Sequence, residues 1–140
     1  MSTDNTTYPT GPADRPTELD SPGLFPPRGH YSHVTKHGGI AYISGQVAVT
    51  PDGGALNDRP FEDQVRQVLS NVDACLAAAG SSSDQLLQVT VYLVDIDNLP
   101  AFDGVYSQWL SGHEPTRIVT VPAALPYESQ LQVSAIAIAG

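Results

Sequence analysis

One segment constrains the fold more than any other. Between Pro60 and Ala79 the apolar residues Phe61, Val65, Val68, Leu69, Val72, Cys75, Leu76 and Ala79 recur at helical spacing, which makes a single apolar stripe along an α-helix. Pro60 suits the start, where a missing N–H is no loss, and Glu62 and Asp63 suit the positive end of the helix dipole. Gly80 supplies the stop. A helix with one apolar face must bury that face against another element, so the rest of the chain has to provide a surface.

The flanking segments provide it. Tyr31 to Lys36 and Ile40 to Ser44 read as short strands, joined by His37-Gly38-Gly39, a turn suited to the positive φ of a tight hairpin. Leu86 to Val94 reads as a third strand, with Leu87, Val89, Val91 and Leu93 on one face and Gln88, Thr90 and Tyr92 on the other. A second helix follows Asp97 and Asn98, taken as caps, and carries Phe102, Val105, Tyr106, Trp109 and Leu110 on one stripe. Strands at about Ile118 to Val121 and Leu131 to Ala139 complete a ββαβαββ order, separated by the Pro122 to Pro126 turn region. The fold class is therefore α/β, an α+β mixed sheet with two helices. Helices on one sheet face leave the other seeking cover, which self-association would supply.

A chain of 140 residues fits one domain with one core. Residues 1 to 24, polar and rich in Pro, Thr and Asp, read as a flexible N-terminal tail, and residues 25 to 140 as the domain. No run of about twenty apolar residues is present to span a bilayer, and with the single cysteine Cys75 no intrachain disulfide is possible. A cytoplasmic, soluble protein without membrane attachment is expected. The formal charge is −9 and the six Lys and Arg residues are scattered, so no basic stripe exists to neutralise phosphates and nucleic acid is not an expected partner. His30, His33 and His37 lie close in sequence and His113 can join them in space, but no acidic or cysteine motif supports them, so no metal is expected. Cys75 sits on the apolar stripe and reads as a small buried hydrophobe. No glycine-rich phosphate loop, nucleophile elbow or dinucleotide fingerprint occurs.

Tyr31, Ile43-Ser44-Gly45-Gln46, Gln64, Asn71, Ala79-Gly80, Thr90-Val91-Tyr92-Leu93, Tyr106, Pro115-Thr116-Arg117, Leu125-Pro126 and Ala135-Ile136-Ala137 form an ordered set. In that set the chain resembles the RidA/YjgF family, over nearly everything after the tail. The resemblance implies a chorismate-mutase-like fold, a homotrimer with ligand sites between subunits, no cofactor, and hydrolysis of reactive enamines or imines to keto acid and ammonia. It points to Arg117 as the residue that grips a substrate carboxylate, a task for a planar guanidinium with two parallel hydrogen bonds. Tyr31 matches a pocket tyrosine, and Ser44 and Gly45 match the strand end whose backbone approaches the ligand.

The departures bear on chemistry. Deaminating relatives carry a glutamate where this chain has Gln132, and an amide cannot act as general acid or base near neutral pH. Val119 replaces a cysteine beside the arginine, and Asp103 replaces an asparagine on the second helix. The expected function is an enamine/imine deaminase acting on small carboxylated imines of the 2-aminoacrylate type. Arg117, Gln132 and Asp103 are its catalytic candidates; Tyr31, Ser44, Gly45, Arg117 and Val119 are its substrate-binding candidates. The alternatives are a non-catalytic trimer that binds a metabolite or partner, and a pathway enzyme that promotes cyclisation or tautomerisation in the same cleft. A ribonuclease role, sometimes attached to the family's name, sits poorly with the acidic balance.

Overall fold

A computed structural model describes residues 15–140. Its strands are β1 (Thr17–Leu19), β2 (Val34–His37), β3 (Ile40–Gln46), β4 (Leu86–Leu93), β5 (Thr116–Thr120) and β6 (Leu131–Ile138), and its α-helices are α1 (Phe61–Ala78) and α2 (Leu99–Leu110). They form one mixed sheet in the order β1-β2-β3-β6-β4-β5, antiparallel except where β4 runs parallel to the edge strand β5.

The hairpin between β2 and β3 closes at His37↔Ile40, with Gly38 at φ 61° and Gly39 at φ 80°. Two consecutive positive φ values define the turn that follows the twist of its strands, and only glycine adopts them without strain. Helix α1 stops as its composition dictates. Gly80 takes φ 75°, its N–H donates to the Ala77 carbonyl, and the Ser81 N–H donates back to Leu76 at 2.8 Å, so the last carbonyls are capped by backbone.

Both helices cover the face carrying Val89, Val91 and Leu93 of β4 and Val133, Ala135 and Ala137 of β6, all buried. The opposite face has no helix. It presents Tyr42, Ile118 and Ile138, each close to half exposed in the isolated chain, in rows set by the pairs Tyr42↔Ile136 and Thr90↔Ile118. Single exposed apolar residues are ordinary, but several on one sheet face form a surface suited to another protein surface.

Four expectations need correction. The stretch read as a tail contributes β1, whose register Thr17↔Lys36 to Leu19↔Val34 extends the sheet. Beyond it the Ser21 N–H donates to His33 Nδ1 at 3.0 Å and the His33 N–H to Asp20 Oδ1 at 3.1 Å. A three-residue edge strand packs little more than Leu19 inward, so its polar composition resembled a tail; the remainder of that stretch, residues 1–14, lies outside the described residues. Strand β2 begins at Val34, because His33 serves these loop contacts and the Ser32 carbonyl accepts from the Ser44 hydroxyl. Leu87 is exposed, because a register shift between Leu86 and Gln88 puts Leu86 into the core in its place. Asn98 makes no side-chain cap; Asp95 instead accepts from the Asp97 N–H in the 3-10 turn that precedes α2.

Gln64 ties α1 to the loop that launches β6. Its fully buried side chain donates to the Arg59 carbonyl at 3.0 Å and accepts the Gln130 N–H at 3.1 Å. Gln64→Ala strands both backbone groups, and the folded state should lose about 3 kcal/mol in a denaturant titration. A loss below about 1 kcal/mol would show that water replaces the amide freely.

Candidate functional site

The candidate residues fall into two clusters of one chain. The first lies on the open edge of the sheet. Arg117 pairs with the buried Val89 across the parallel ladder, so its side chain leaves β5 on the helix-covered side and meets the flank of α2. There the guanidinium forms an ion pair with Asp103 and lies over the Tyr106 ring, 5.5 Å from its centroid. Helical spacing explains the arrangement: Asp103 and Tyr106 are three residues apart and therefore neighbours on one helix face. Phe102 stacks on Tyr106 with centroids 5.1 Å apart and is itself fully buried, which anchors the platform beneath the arginine. His113, Glu114 and Pro115 complete an open cleft with these three residues.

Two features of this cleft decide its chemistry. The Asp103 carboxylate is 53% exposed and the Arg117 side chain 28% exposed, so the pair contributes about 1 kcal/mol or less. An incoming carboxylate that offers two parallel hydrogen bonds displaces such a partner readily. The Tyr106 hydroxyl is buried without a hydrogen-bond partner. Burial raises its pKa, with Arg117 opposing and Asp103 reinforcing the shift, so it stays protonated. His113 Nε2 lies 2.7 Å from the Leu86 carbonyl oxygen, which can only accept, so this nitrogen carries the proton. The ring is held at the cleft wall.

The second cluster lies where β3 meets the loop before β2. Tyr31, 53% exposed, and Gly45 line a cleft that also holds Phe25, Arg28 and Tyr127. Ser44 closes the back: its N–H donates to the His33 carbonyl at 3.0 Å and its hydroxyl to the Ser32 carbonyl at 2.6 Å. Gly45 is closely packed: a Cβ there would stand 2.6 Å from Gln132 Cδ, so any larger residue displaces the Gln132 side chain. Gln132 therefore lies against Gly45, paired across the ladder with Tyr92 on the uncovered face.

The chain thus brings Arg117 to Asp103 in one cleft and Tyr31 to Gly45 in another, while Gln132 lies against Gly45 without lining either cleft. Val119 packs against the core and lines neither cleft. Tyr106 is the residue that periodicity hides: its place on the apolar stripe marks it as core, and only the register of β5 reveals that its ring carries the arginine. Among the described residues no group of three or more His, Cys, Asp or Glu side chains converges as a metal site. Cys75 is buried, and burial pushes its thiol up to about 12, so it offers no thiolate. No described helix is long and apolar enough to cross a membrane.

Comparison with known proteins places this geometry. The family model described as Endoribonuclease L-PSP matches residues 24–139. A RutC family protein of Pyrococcus horikoshii is 35% identical over 111 residues, covering 79% of this chain and 88% of its own. The human 2-iminobutanoate/2-iminopropanoate deaminase is 32% identical over 120 residues, 86% of this chain and 85% of its own. The chain belongs to the RidA/YjgF family. Among solved structures, E. coli TdcF with bound serine superposes with a TM-score of 0.82 at 29% identity, over 89% of this chain and 99% of that one. In this chain the arginine stands on β5 beside Asp103, and the glycine on β3 lies against the amide of Gln132.

Proposed function

We propose that the chain hydrolyses small carboxylated enamines and imines at sites between the subunits of a homotrimer. The observation that carries this reading is Arg117: a guanidinium at an open cleft, supported from below by an aromatic ring and held by a carboxylate weak enough to yield to a ligand. The kinship with the human imine deaminase supports the reaction class. The uncovered sheet face supports self-association, because packing on neighbours buries Tyr42, Ile118 and Ile138. In a ring of subunits the Arg117 cleft of one chain adjoins the Tyr31 and Gly45 cleft of the next, and the two clusters become one pocket. The protein then works in the cytoplasm on a freely diffusing metabolite and needs no cofactor.

In that pocket Arg117 fixes the substrate carboxylate and Tyr31 limits the space around the carbon chain. Water adds to the imine carbon to give a carbinolamine, the C–N bond breaks, nitrogen leaves as ammonia, and a keto acid remains. The imine carbon is already electrophilic, so positioning supplies much of the rate. Gln132 can orient water or substrate through its amide but takes no proton. Asp103, released from Arg117 when substrate binds, is the group able to accept one.

Replacing Asp103 with asparagine tests this assignment. Ammonia release from 2-aminoacrylate generated in place should fall by about a hundredfold against the native chain while keto-acid binding holds or tightens; an unchanged rate removes Asp103 from the chemistry. One observation favours a second reading, a trimer that binds the metabolite without turnover: the neutral amide of Gln132 lies against Gly45. A native chain that binds 2-oxobutanoate but releases ammonia no faster than the buffer would establish that reading instead.

A further inference from the structure

The Tyr31 cleft carries a cation that the reading above does not use. Arg28 lies over the Phe25 ring at 4.1 Å and near the Tyr127 ring at 5.1 Å, and its Nη2 donates to the Gly53 carbonyl at 2.9 Å. The packing is close: a Cβ at Gly53 would stand 2.5 Å from Arg28 Nη2 and 2.8 Å from the Phe25 ring, and Gly53 holds φ 94°. Tyr127 and Glu128 both take positive φ, 59° and 53°. Two successive non-glycine residues in this region store backbone strain, and here that conformation places the Tyr127 ring beside the guanidinium.

Charge is the second line of argument. The chain has 15 Asp and Glu residues and six Lys and Arg residues, yet among the described residues no Asp or Glu lines this cleft. Among the described residues, the ion pairs involve Arg66 with Asp63 and Arg117 with Asp103, and Arg28 has no carboxylate partner. The nearby Asp52 carboxylate is taken by the Thr50 hydroxyl and the Gly54 N–H. An arginine held by rings and a carbonyl keeps in-plane N–H donors that remain unspent, and these are the donors that grip a carboxylate.

We propose that Arg28 binds a second carboxylate of the substrate, so that the imine accepted at this site is the dicarboxylic kind formed from an acidic amino acid. Arg117 holds the carboxylate next to the imine carbon and Arg28 the one at the far end of the chain. This rests on the reading of the two clefts as one keto-acid and imine pocket, and it adds a substrate class to it.

Calorimetric titration of the full-length protein with 2-oxoglutarate and with 2-oxobutanoate separates the two ideas. Binding of 2-oxoglutarate should be at least about tenfold tighter, as expected for one added charge-assisted contact. Arg28→Gln should erase that advantage and leave 2-oxobutanoate unchanged, with Arg28→Lys restoring part of it. Equal affinity for the two acids in the native chain, or an equal loss for both in Arg28→Gln, would overturn the proposal while leaving the pocket in place. Binding of neither acid would overturn the pocket itself and the proposal with it.

Discussion

Arg117→Ala should abolish ligand binding and turnover together. Among the described residues the guanidinium is the only group of the Arg117 cleft that carries a fixed positive charge, and a bidentate contact to a carboxylate is among the stronger polar interactions a protein makes. Its loss leaves Asp103 facing the substrate carboxylate, so attraction is replaced by repulsion between like charges. Affinity for 2-oxobutanoate should fall by about a hundredfold or more, and ammonia release should drop to the uncatalysed rate. The fold should survive, because the pair it breaks is partly exposed and contributes little to stability. Titration and circular dichroism on the same sample check both halves. A variant that stays folded and binds within about threefold of the native chain would remove Arg117 from the site.

Gln132→Glu should act in the opposite direction. The two side chains have the same shape, and Gln132 is half-buried with no side-chain hydrogen bond among the described residues, so the change introduces a carboxylate at little structural cost. It introduces a proton-transfer group beside Gly45, and such groups contribute about a hundredfold or more to rates. Turnover of 2-aminoacrylate should rise by about that factor, with affinity for the keto acid nearly unchanged. A flat rate would mean that Asp103 already does the work or that the pocket does other chemistry.

The helices and the hairpin were legible in the sequence because their signals are local. The apolar spacing from Phe61 to Ala79 and the glycines at positions 38, 39 and 80 each need only neighbouring residues to be interpreted, and each matches the structure. Strand β1 was not legible, because three residues paired at a sheet edge owe their conformation to β2 and not to their own composition. The displacement of Leu87 to the surface has the same origin: alternation predicts it buried, and the register shift against β6 turns it outward. Arg117 and Asp103 were each readable as candidates. Their meeting was not, since it depends on the parallel pairing of β5 with β4 that puts the arginine on the helix side of the sheet. Arg28 was hidden for a further reason. Its role follows from Phe25, Gly53 and Tyr127, which are far apart in the chain and converge only in the fold.

The central claim is that the two clefts of one chain act as halves of a site shared between subunits. Co-expressing Arg117→Ala chains with Gly45→Val chains tests it directly, because the first keeps an intact Gly45 cleft and the second an intact Arg117. Each variant alone, folded by circular dichroism, should be inactive. Randomly mixed trimers should recover about one quarter of the native turnover, the share of interfaces at which both intact halves meet. No recovery in mixed trimers that are shown to have formed would contradict the account and confine the site to a single chain.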